Sequence, residues 1–191
     1  MPPWLELGSS AIASRRILVT GGTRSGKSAY AEKLLAEQAA VTYLAPGPPA
    51  DPATDPEWAS RIAVHQARRP AHWRTVETSD LPGALRAAAR EAIMIDSLGS
   101  WLTAALDRLE AWSTPPEAWT EPLADQVTDL VDAWRACRHV AVAVTNEVGL
   151  GLVSEHRSGR VFTDRLGDLN QAVARASDDV ILMVAGRALP L

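Results

Sequence analysis

The feature that most constrains this chain is a glycine-rich segment, residues 21–28, that directly follows a short apolar run. The run Ile17-Leu18-Val19-Thr20 has the β-branched, apolar composition of a buried strand. Residues 28–39 have helical composition, rich in Ala, Leu, Glu and Lys. The segment between them fits G-x-x-x-x-G-K-[ST] at every fixed position. Because it lies between a strand and a helix, the pattern predicts a phosphate-binding loop.

The residue types of this loop suit the phosphates of ATP or GTP. Glycines let the backbone curl so that successive N–H groups point at phosphate oxygens, and the following helix adds its positive end. Lys27 supplies a positive charge to the outer phosphates, and Ser28 offers a hydroxyl to Mg²⁺. A ligand-free glycine turn would not explain Lys27 and Ser28. The predicted nucleotide contacts are Gly21, Gly22, Thr23, Arg24, Ser25, Gly26, Lys27 and Ser28.

Apolar strands alternate with helical segments along the rest of the chain. Strands are predicted at residues 41–45, 73–77, 93–96, 140–145 and 180–184, and helices at 57–67, 81–92, 98–112, 117–137 and 161–176. The alternation predicts one α/β domain over residues 15–191, a P-loop NTPase fold of the RecA-like kind. Its sheet is expected to be mostly parallel, with helices on both faces. Residues 1–14 are predicted to be a flexible N-terminal extension.

Composition argues against several other classes. A formal net charge of −4 disfavours bulk nucleic-acid binding. One cysteine, Cys137, offers neither a disulfide within the chain nor a cysteine-rich metal site. Neither a signal peptide nor a run long enough to span a membrane is recognised. We therefore expect a cytoplasmic protein.

Asp96 ends the apolar run 93–95. A carboxylate at the end of a buried strand can join Ser28 in holding Mg²⁺ beside the phosphate loop. The alternative is a helix N-cap, because a helical segment follows; both roles stay open.

Residues 96–99 also match the D-x-x-G signature of GTPase switches. However, the only lysines, Lys27 and Lys33, are not in an [NT]-K-x-D motif, which disfavours a switch GTPase.

Residues 61–75 gather two histidines and four arginines. Clustered arginines suit a triphosphate, and a neutral imidazole can attack phosphorus. From spacing alone, an ordinary surface or core histidine is the better interpretation of His65.

Several stretches together resemble the bifunctional adenosylcobinamide kinase / adenosylcobinamide-phosphate guanylyltransferase family of cobalamin biosynthesis. They are residues 17–28, then Arg61-Ile62, His65, Arg69-Pro70, Trp73, Thr75 and Glu77, then Val144-Thr145-Asn146-Glu147-Val148-Gly149-Leu150-Gly151, and finally Asn170-Gln171. The resemblance runs from about Ile17 to Val184. The His-x-x-x-Arg-Pro spacing and Thr-Asn-Glu-Val-Gly are more specific than the phosphate loop.

The resemblance implies two reactions with Mg²⁺ and with GTP and ATP as co-substrates. Adenosylcobinamide is phosphorylated, and GMP from GTP is then carried on a histidine, which corresponds to His65, to the new phosphate. It also implies a homotrimer. Nucleotide contacts are implied at Pro46, Gly47, Pro48, Gln66, Ala67, Arg68, Arg69, Glu77 and Asp96. Pro46 departs from the family, where similar proteins usually carry Thr, so a hydroxyl and a backbone donor are lost there.

Glu147 follows a predicted strand at the carboxyl edge of the sheet, where open α/β folds bind ligands. It is a candidate base for the substrate hydroxyl. The alternative is a loop carboxylate that holds backbone N–H groups.

Three arginines farther along the chain also have two interpretations. Arg157, Arg160 and Arg165 form either an anion-binding lid or, more simply, a solvated helix face.

Two other functions remain as alternatives. One is a single-activity P-loop kinase of small molecules, without a histidine intermediate. The other is a guanine-nucleotide-binding regulatory module with little chemistry.

Overall fold

The computed structural model describes residues 14–48, 53–88 and 91–191. Residues 1–13, most of the predicted extension, lie outside this part. Over the described residues the strands are β1 Arg16–Gly21, β2 Val41–Ala45, β3 Arg74–Glu77, β4 Ala92–Asp96, β5 Ala141–Val144, β6 Asp179–Val184 and β7 Arg187–Pro190. The helices are α1 Lys27–Leu34, α2 Pro56–Arg68, α3 Leu81–Ala87, α4 Leu98–Arg108, α5 Thr120–Arg135 and α6 Arg157–Arg175, with a 3-10 turn at Pro116–Ala118.

The strands form one sheet in the order β3-β2-β4-β5-β1-β6-β7. All neighbouring pairs are parallel except β6 and β7. The predicted fold class, a mostly parallel α/β sheet, is therefore confirmed. Because parallel strands end at the same edge, the loops after β1, β2, β4 and β5 share one side of the molecule.

The core has one layer on each face of the sheet, and the strand alternation assigns residues to them. Ile17 and Val19 face α1 together with Leu35, whereas Leu18 faces the opposite layer. That second layer is built from α3, α4, α5 and α6 and includes Leu102 and Trp101. Helices on both faces explain why the central strands are apolar on both sides.

Several element bounds differ from the predictions, and in one case sheet pairing overrides helical composition. Helix α3 ends at Ala87, not at residue 92, since Ala92 pairs within β4 and donates its N–H to the carbonyl of Ala40. Helix α1 ends at Leu34, five residues early. Pro56, predicted to lie in a loop, is the first residue of α2, a position where proline is well tolerated.

Strand β7 was not predicted. It is a short edge strand of four residues that ends in Pro190, and it pairs antiparallel with β6 through a two-residue turn at Ala185 and Gly186. Both turn residues have positive φ, 49° and 78°, as hairpin turns of this length require. A four-residue run containing proline gives little sequence signal for a strand.

Within the described ranges, every helix is too short or too polar to span a membrane.

The core layer under α4 makes a direct stability prediction. Leu102 is 0% exposed, whereas Leu150 is 84% exposed. Leu102→Ala is expected to lower the free energy of unfolding by about 2–5 kcal/mol, because it leaves a cavity. Leu150→Ala should change it by less than about 0.5 kcal/mol. Urea unfolding of both variants tests this; equal losses would contradict the assignment of the core.

Candidate active site

The candidate site lies at the carboxyl edge of the sheet, where β1 turns into α1. Residues 22–26 form the turn between β1 and α1, and Gly26 takes the N-cap position of α1 with φ of 92° and no side-chain cap. The first N–H groups of α1 are therefore not capped by a side chain and remain available to an anion. The structure confirms the prediction that this loop lies between a strand and a helix.

The residues of the loop divide into an exposed and a buried set. Gly22, Thr23 and Arg24 are exposed, whereas Ser25 and Lys27 are buried. The Lys27 Nζ donates to the carbonyl of Gly22 at 3.1 Å. Burial lowers the pKa of Lys27, and the nearby charge of Asp96 opposes that shift. The Lys27 side chain thus lies along its own loop.

Two neighbouring loops brace the phosphate loop through backbone hydrogen bonds. The N–H of Glu147, after β5, donates to the carbonyl of Gly21 at 3.0 Å. The N–H of Gly186, in the β6–β7 turn, donates to the carbonyl of Ser25 at 3.0 Å. The second brace was missed from the sequence, because β7 was missed.

Gly21 is held against β6 so closely that no side chain fits. It has φ of 155°, and a Cβ there would lie 2.5 Å from the carbonyl oxygen of Met183. Gly22 has no atom within 4 Å of its own hypothetical Cβ. Only the first of these adjacent glycines is therefore required by packing.

Asp96 ends β4 opposite the start of α1. Its Oδ1 lies 3.5 Å from Ser28 Oγ, and its Oδ2 accepts a hydrogen bond from the Tyr43 hydroxyl at 2.8 Å. The N-cap interpretation of Asp96 is wrong: Ser97 caps α4, its hydroxyl accepting from the N–H of Ser100 at 3.3 Å.

The pair Ser28 and Asp96 fits Mg²⁺. The ion takes oxygen ligands, keeps several waters, and is usually held by one or two protein groups together with substrate phosphates. A hydroxyl and a carboxylate this close together at the mouth of a phosphate loop are such a donor set. In the described ranges no group of three or more His, Cys, Asp or Glu offers a different metal site.

The C-terminal end of α2 is attached to the same region by two arginines. Arg68 pairs with Glu32 of α1 at 3.1 Å. Arg69 places its guanidinium carbon 3.5 Å from the centre of the Tyr43 ring and donates to Thr75 Oγ1 at 3.0 Å. Burial, with the adjacent Asp96 carboxylate, raises the pKa of Tyr43, so its hydroxyl stays protonated at neutral pH. Gln66 and Ala67 are exposed on the same turn.

His65 belongs to α2, but its side chain lies outside the described part of the chain. Its backbone position is one turn before Arg69, the residue that contacts Tyr43. The predicted role of His65 stays a prediction.

The remaining predicted nucleotide contacts lie farther along the edge. Pro46 is buried and Pro48 exposed just after β2. Glu77 is exposed at the end of β3, in register with Ala45, and the N–H of Thr78 donates to the Ala45 carbonyl. Since β3 is four strands from β1, at about 4.8 Å per strand, Glu77 lies well away from the phosphate loop. An extended ligand is needed to contact both.

Glu147 lies in a loop that Asn170 of α6 holds in place. Thr145 Oγ1 donates to Asn170 Oδ1 at 2.7 Å, and Asn170 Nδ2 donates to the carbonyl of Asn146 at 3.0 Å. The backbone N–H of Glu147 braces the phosphate loop, whereas its half-buried carboxylate makes no hydrogen bond within the described ranges. The suggestion that this carboxylate holds backbone N–H groups is therefore not supported.

The arginines of α6 have structural partners. Arg157 donates to the carbonyls of Ala111, Trp112 and Thr114, and Arg160 to those of Ser154 and Glu155. Arg165 pairs with Asp168 on the same helix. These contacts favour a structural role over an anion-binding lid.

A separate apolar cavity of about 210 Å³ lies near the opposite edge of the sheet, between α3, β4 and α5. It is lined by Leu85, Ile93 and Ala133 among others, and Cys137 contributes to its wall. Burial raises the pKa of Cys137 to about 11, so the thiol is protonated at neutral pH and is not a nucleophile.

The fold and the loop define the class of protein: a P-loop nucleotide-binding α/β domain. An ATPase of the type III secretion system of pathogenic bacteria has a similar fold, with a TM-score of 0.55 at 14% identity over 89% of this chain and 51% of that one.

The family follows from sequence comparison. Residues 17–191 match the model of the cobinamide kinase / cobinamide phosphate guanyltransferase family. The bifunctional adenosylcobalamin biosynthesis protein CobU of Salmonella typhimurium is 39% identical over 89% of this chain and 96% of its own length. Its namesake in Escherichia coli is 37% identical with the same coverage, and CobP of Pseudomonas aeruginosa is 39% identical over 92% and 96%. The chain belongs to this family, as the resemblance predicted.

The two adjacent glycines provide a matched test of the loop. Gly21→Ala should lower the free energy of unfolding by more than about 1 kcal/mol, because the methyl group meets the Met183 carbonyl and φ is unfavourable. Gly22→Ala should cost less than about 0.5 kcal/mol, since nothing is near it. Thermal unfolding of the nucleotide-free variants measures both. A similar loss in the two variants would contradict the close packing against β6.

A second prediction concerns the Glu147 loop. Asn170→Ala should lower the free energy of unfolding by about 1–3 kcal/mol, because it leaves the buried Thr145 hydroxyl and the Asn146 carbonyl without their partner. Asn146→Ala keeps that carbonyl and should cost less than about 0.5 kcal/mol. Denaturant unfolding compares them. A larger loss from Asn146→Ala would mean that the loop is held in another way.

Proposed function

We propose that this chain phosphorylates adenosylcobinamide with ATP or GTP and then transfers GMP from GTP onto the new phosphate. The single observation that carries the proposal is the phosphate loop with Asp96 at 3.5 Å from Ser28, in a chain of this family. The relatives CobU and CobP are named as bifunctional adenosylcobalamin biosynthesis proteins, which supports two activities in one chain.

In the kinase step, the hydroxyl of the aminopropanol arm attacks the γ-phosphorus and a nucleoside diphosphate leaves. Lys27 and the N–H groups at the start of α1 bind the phosphates as charge shifts toward the leaving oxygen. Glu147 is the proposed acceptor of the hydroxyl proton, which is supported by its half-buried position and by the hydrogen bond from its backbone N–H to Gly21 of the phosphate loop. Bound by Ser28 and Asp96, Mg²⁺ would neutralise phosphate charge.

In the transfer step, an unprotonated ring nitrogen of His65 attacks the α-phosphorus and pyrophosphate leaves. The phosphate of adenosylcobinamide phosphate then attacks the same phosphorus, which releases His65 and yields adenosylcobinamide-GDP. A histidine can supply an unprotonated nitrogen near neutral pH. The attachment of Arg68 to α1 and of Arg69 to β2 supports a position of α2 beside the phosphate loop.

The proposed nucleotide contacts outside the loop are Pro46–Pro48, Gln66–Arg69 and Glu77. Their spread along one edge suits a nucleotide whose phosphates lie at β1 and whose base lies toward β3. A homotrimer and a cytoplasmic location remain predictions from the resemblance and the composition.

Intact-protein mass spectrometry after incubation with GTP and Mg²⁺ tests the transfer step. We expect a GMP adduct on the wild-type chain that is labile in acid and stable in base, as a phosphorus–nitrogen bond would be. His65→Ala should abolish it. His72→Ala is the matched control, because His72 is exposed and lies outside the family pattern, and it should retain the adduct.

Two results would contradict the proposal. An adduct that persists in His65→Ala would move the intermediate to another residue. Active wild-type protein that forms ADP or GDP but neither adduct nor pyrophosphate would instead support a single-activity kinase.

A further inference from the structure

One buried hydroxyl reaches the proposed metal ligand from inside the core. Tyr43 lies in the middle of β2 and is 1% exposed, yet its hydroxyl donates to Asp96 Oδ2 at 2.8 Å. The other oxygen of that carboxylate, Oδ1, is the one that lies 3.5 Å from Ser28 Oγ. The two oxygens of Asp96 therefore face different partners.

This division matters because a carboxylate rotates readily about its terminal bond. A hydrogen bond to a carboxylate is stronger than one between neutral groups, and it fixes the oxygen that accepts it. When Oδ2 is held by a phenol on a rigid strand, Oδ1 must point away from the core, toward Ser28. The Tyr43 hydroxyl thus selects one orientation of the Asp96 side chain.

The phenol ring is itself held in place. It packs in the core layer with Met94 and Val19, on the α1 side of the sheet. Its outer face is covered by the Arg69 guanidinium, with 3.5 Å between the guanidinium carbon and the ring centre. Arg69 is in turn anchored on Thr75, which lies beside Tyr43 in the β2–β3 register. A ring packed on one face and covered on the other cannot easily withdraw its hydroxyl.

We propose that Tyr43 is a positioning residue: it orients Asp96 so that the carboxylate and the Ser28 hydroxyl bind Mg²⁺ together with the nucleotide phosphates. This inference rests on the proposed function only in requiring a nucleotide and Mg²⁺ at the phosphate loop. It does not require GMP transfer through His65.

The chain contains its own control. Tyr30 and Tyr43 are the only tyrosines in the sequence. Tyr30 lies on α1, packs against the same core layer, and has a buried hydroxyl with no hydrogen-bond partner among the described residues. Tyr30→Phe and Tyr43→Phe are therefore the same chemical change on the same side of the sheet, and only the second touches Asp96.

Binding of a fluorescent GDP to the full chain, with Mg²⁺ titrated from excess chelator upward, tests the proposal. Tyr43→Phe should raise the Mg²⁺ concentration at half-maximal effect by about tenfold or more, because a hydrogen bond to a charged group is lost. Affinity without Mg²⁺ should stay within about twofold, since Lys27 and the loop N–H groups are untouched. Tyr30→Phe should change neither quantity.

The Asp96→Ala background tests whether Tyr43 acts through the carboxylate. There Tyr43→Phe should cause no further shift in Mg²⁺ dependence, because residues that act through one contact are not additive. The proposal is overturned by an additive shift, by an equal shift in Tyr30→Phe, or by unchanged Mg²⁺ dependence in Tyr43→Phe. Wild-type Mg²⁺ dependence in Asp96→Ala would overturn it as well.

Failure of this proposal is distinct from failure of the proposed function. A missing GMP adduct on His65 would leave the Mg²⁺ titration unaffected. A normal adduct with unchanged Mg²⁺ dependence in Tyr43→Phe would retain the transferase and remove the role of Tyr43.

Discussion

The site depends first on the contact between Gly21 and β6, where the phosphate loop lies against backbone and cannot move inward. A Cβ at Gly21 would approach the Met183 carbonyl oxygen to 2.5 Å. The loops after β5 and β6 add one backbone hydrogen bond each, to the carbonyls of Gly21 and Ser25. These carbonyls are therefore engaged outside the loop, and within the turn the N–H of Ser25 donates to the carbonyl of Gly22, so it is the other N–H groups that could bind an anion. The shape of the anion site is therefore set by three strands and not by the loop alone.

The position of Asp96 follows from two properties of the sheet. Successive side chains of a strand alternate between its two faces, and parallel strands end at the same edge. Tyr43 and Met94 face α1, and Asp96, two residues beyond Met94, lies on that same face. The carboxylate consequently reaches Ser28 on α1, and not the helices of the opposite layer. The opposite layer contains Trp101 of α4 and Trp134 of α5, both buried in the core.

Much of this was predictable because the signals are local. Buried strands, the phosphate loop, the parallel sheet and the carboxylate after β4 each follow from a short run of sequence, and their positions in the structure agree with prediction. Non-local contacts were not predictable. Strand β7 depends on pairing with β6, and Asn170 is brought to Asn146 only by the packing of α6. Tyr43 gave one hint, because a tyrosine in a buried strand usually finds a partner for its hydroxyl. The partner, Asp96, lies two strands later in the chain.

The two proposed reactions require attack at different phosphorus atoms of a nucleotide on one fixed loop, so the adjustable part must lie elsewhere. Among the α-helices, α2 has the fewest buried residues by its described side chains, of which Ala59 alone is buried. Its ion pair between Arg68 and Glu32 is partly exposed and contributes little. The contact of Arg69 with Tyr43 lies one turn after His65 and joins this end of α2 to β2. Strand β4 and helix α1 are by contrast held in the core, where Met94, Ile95 and Ala31 are fully buried. The same tyrosine that orients Asp96 thereby also attaches the end of the His65 helix to the sheet.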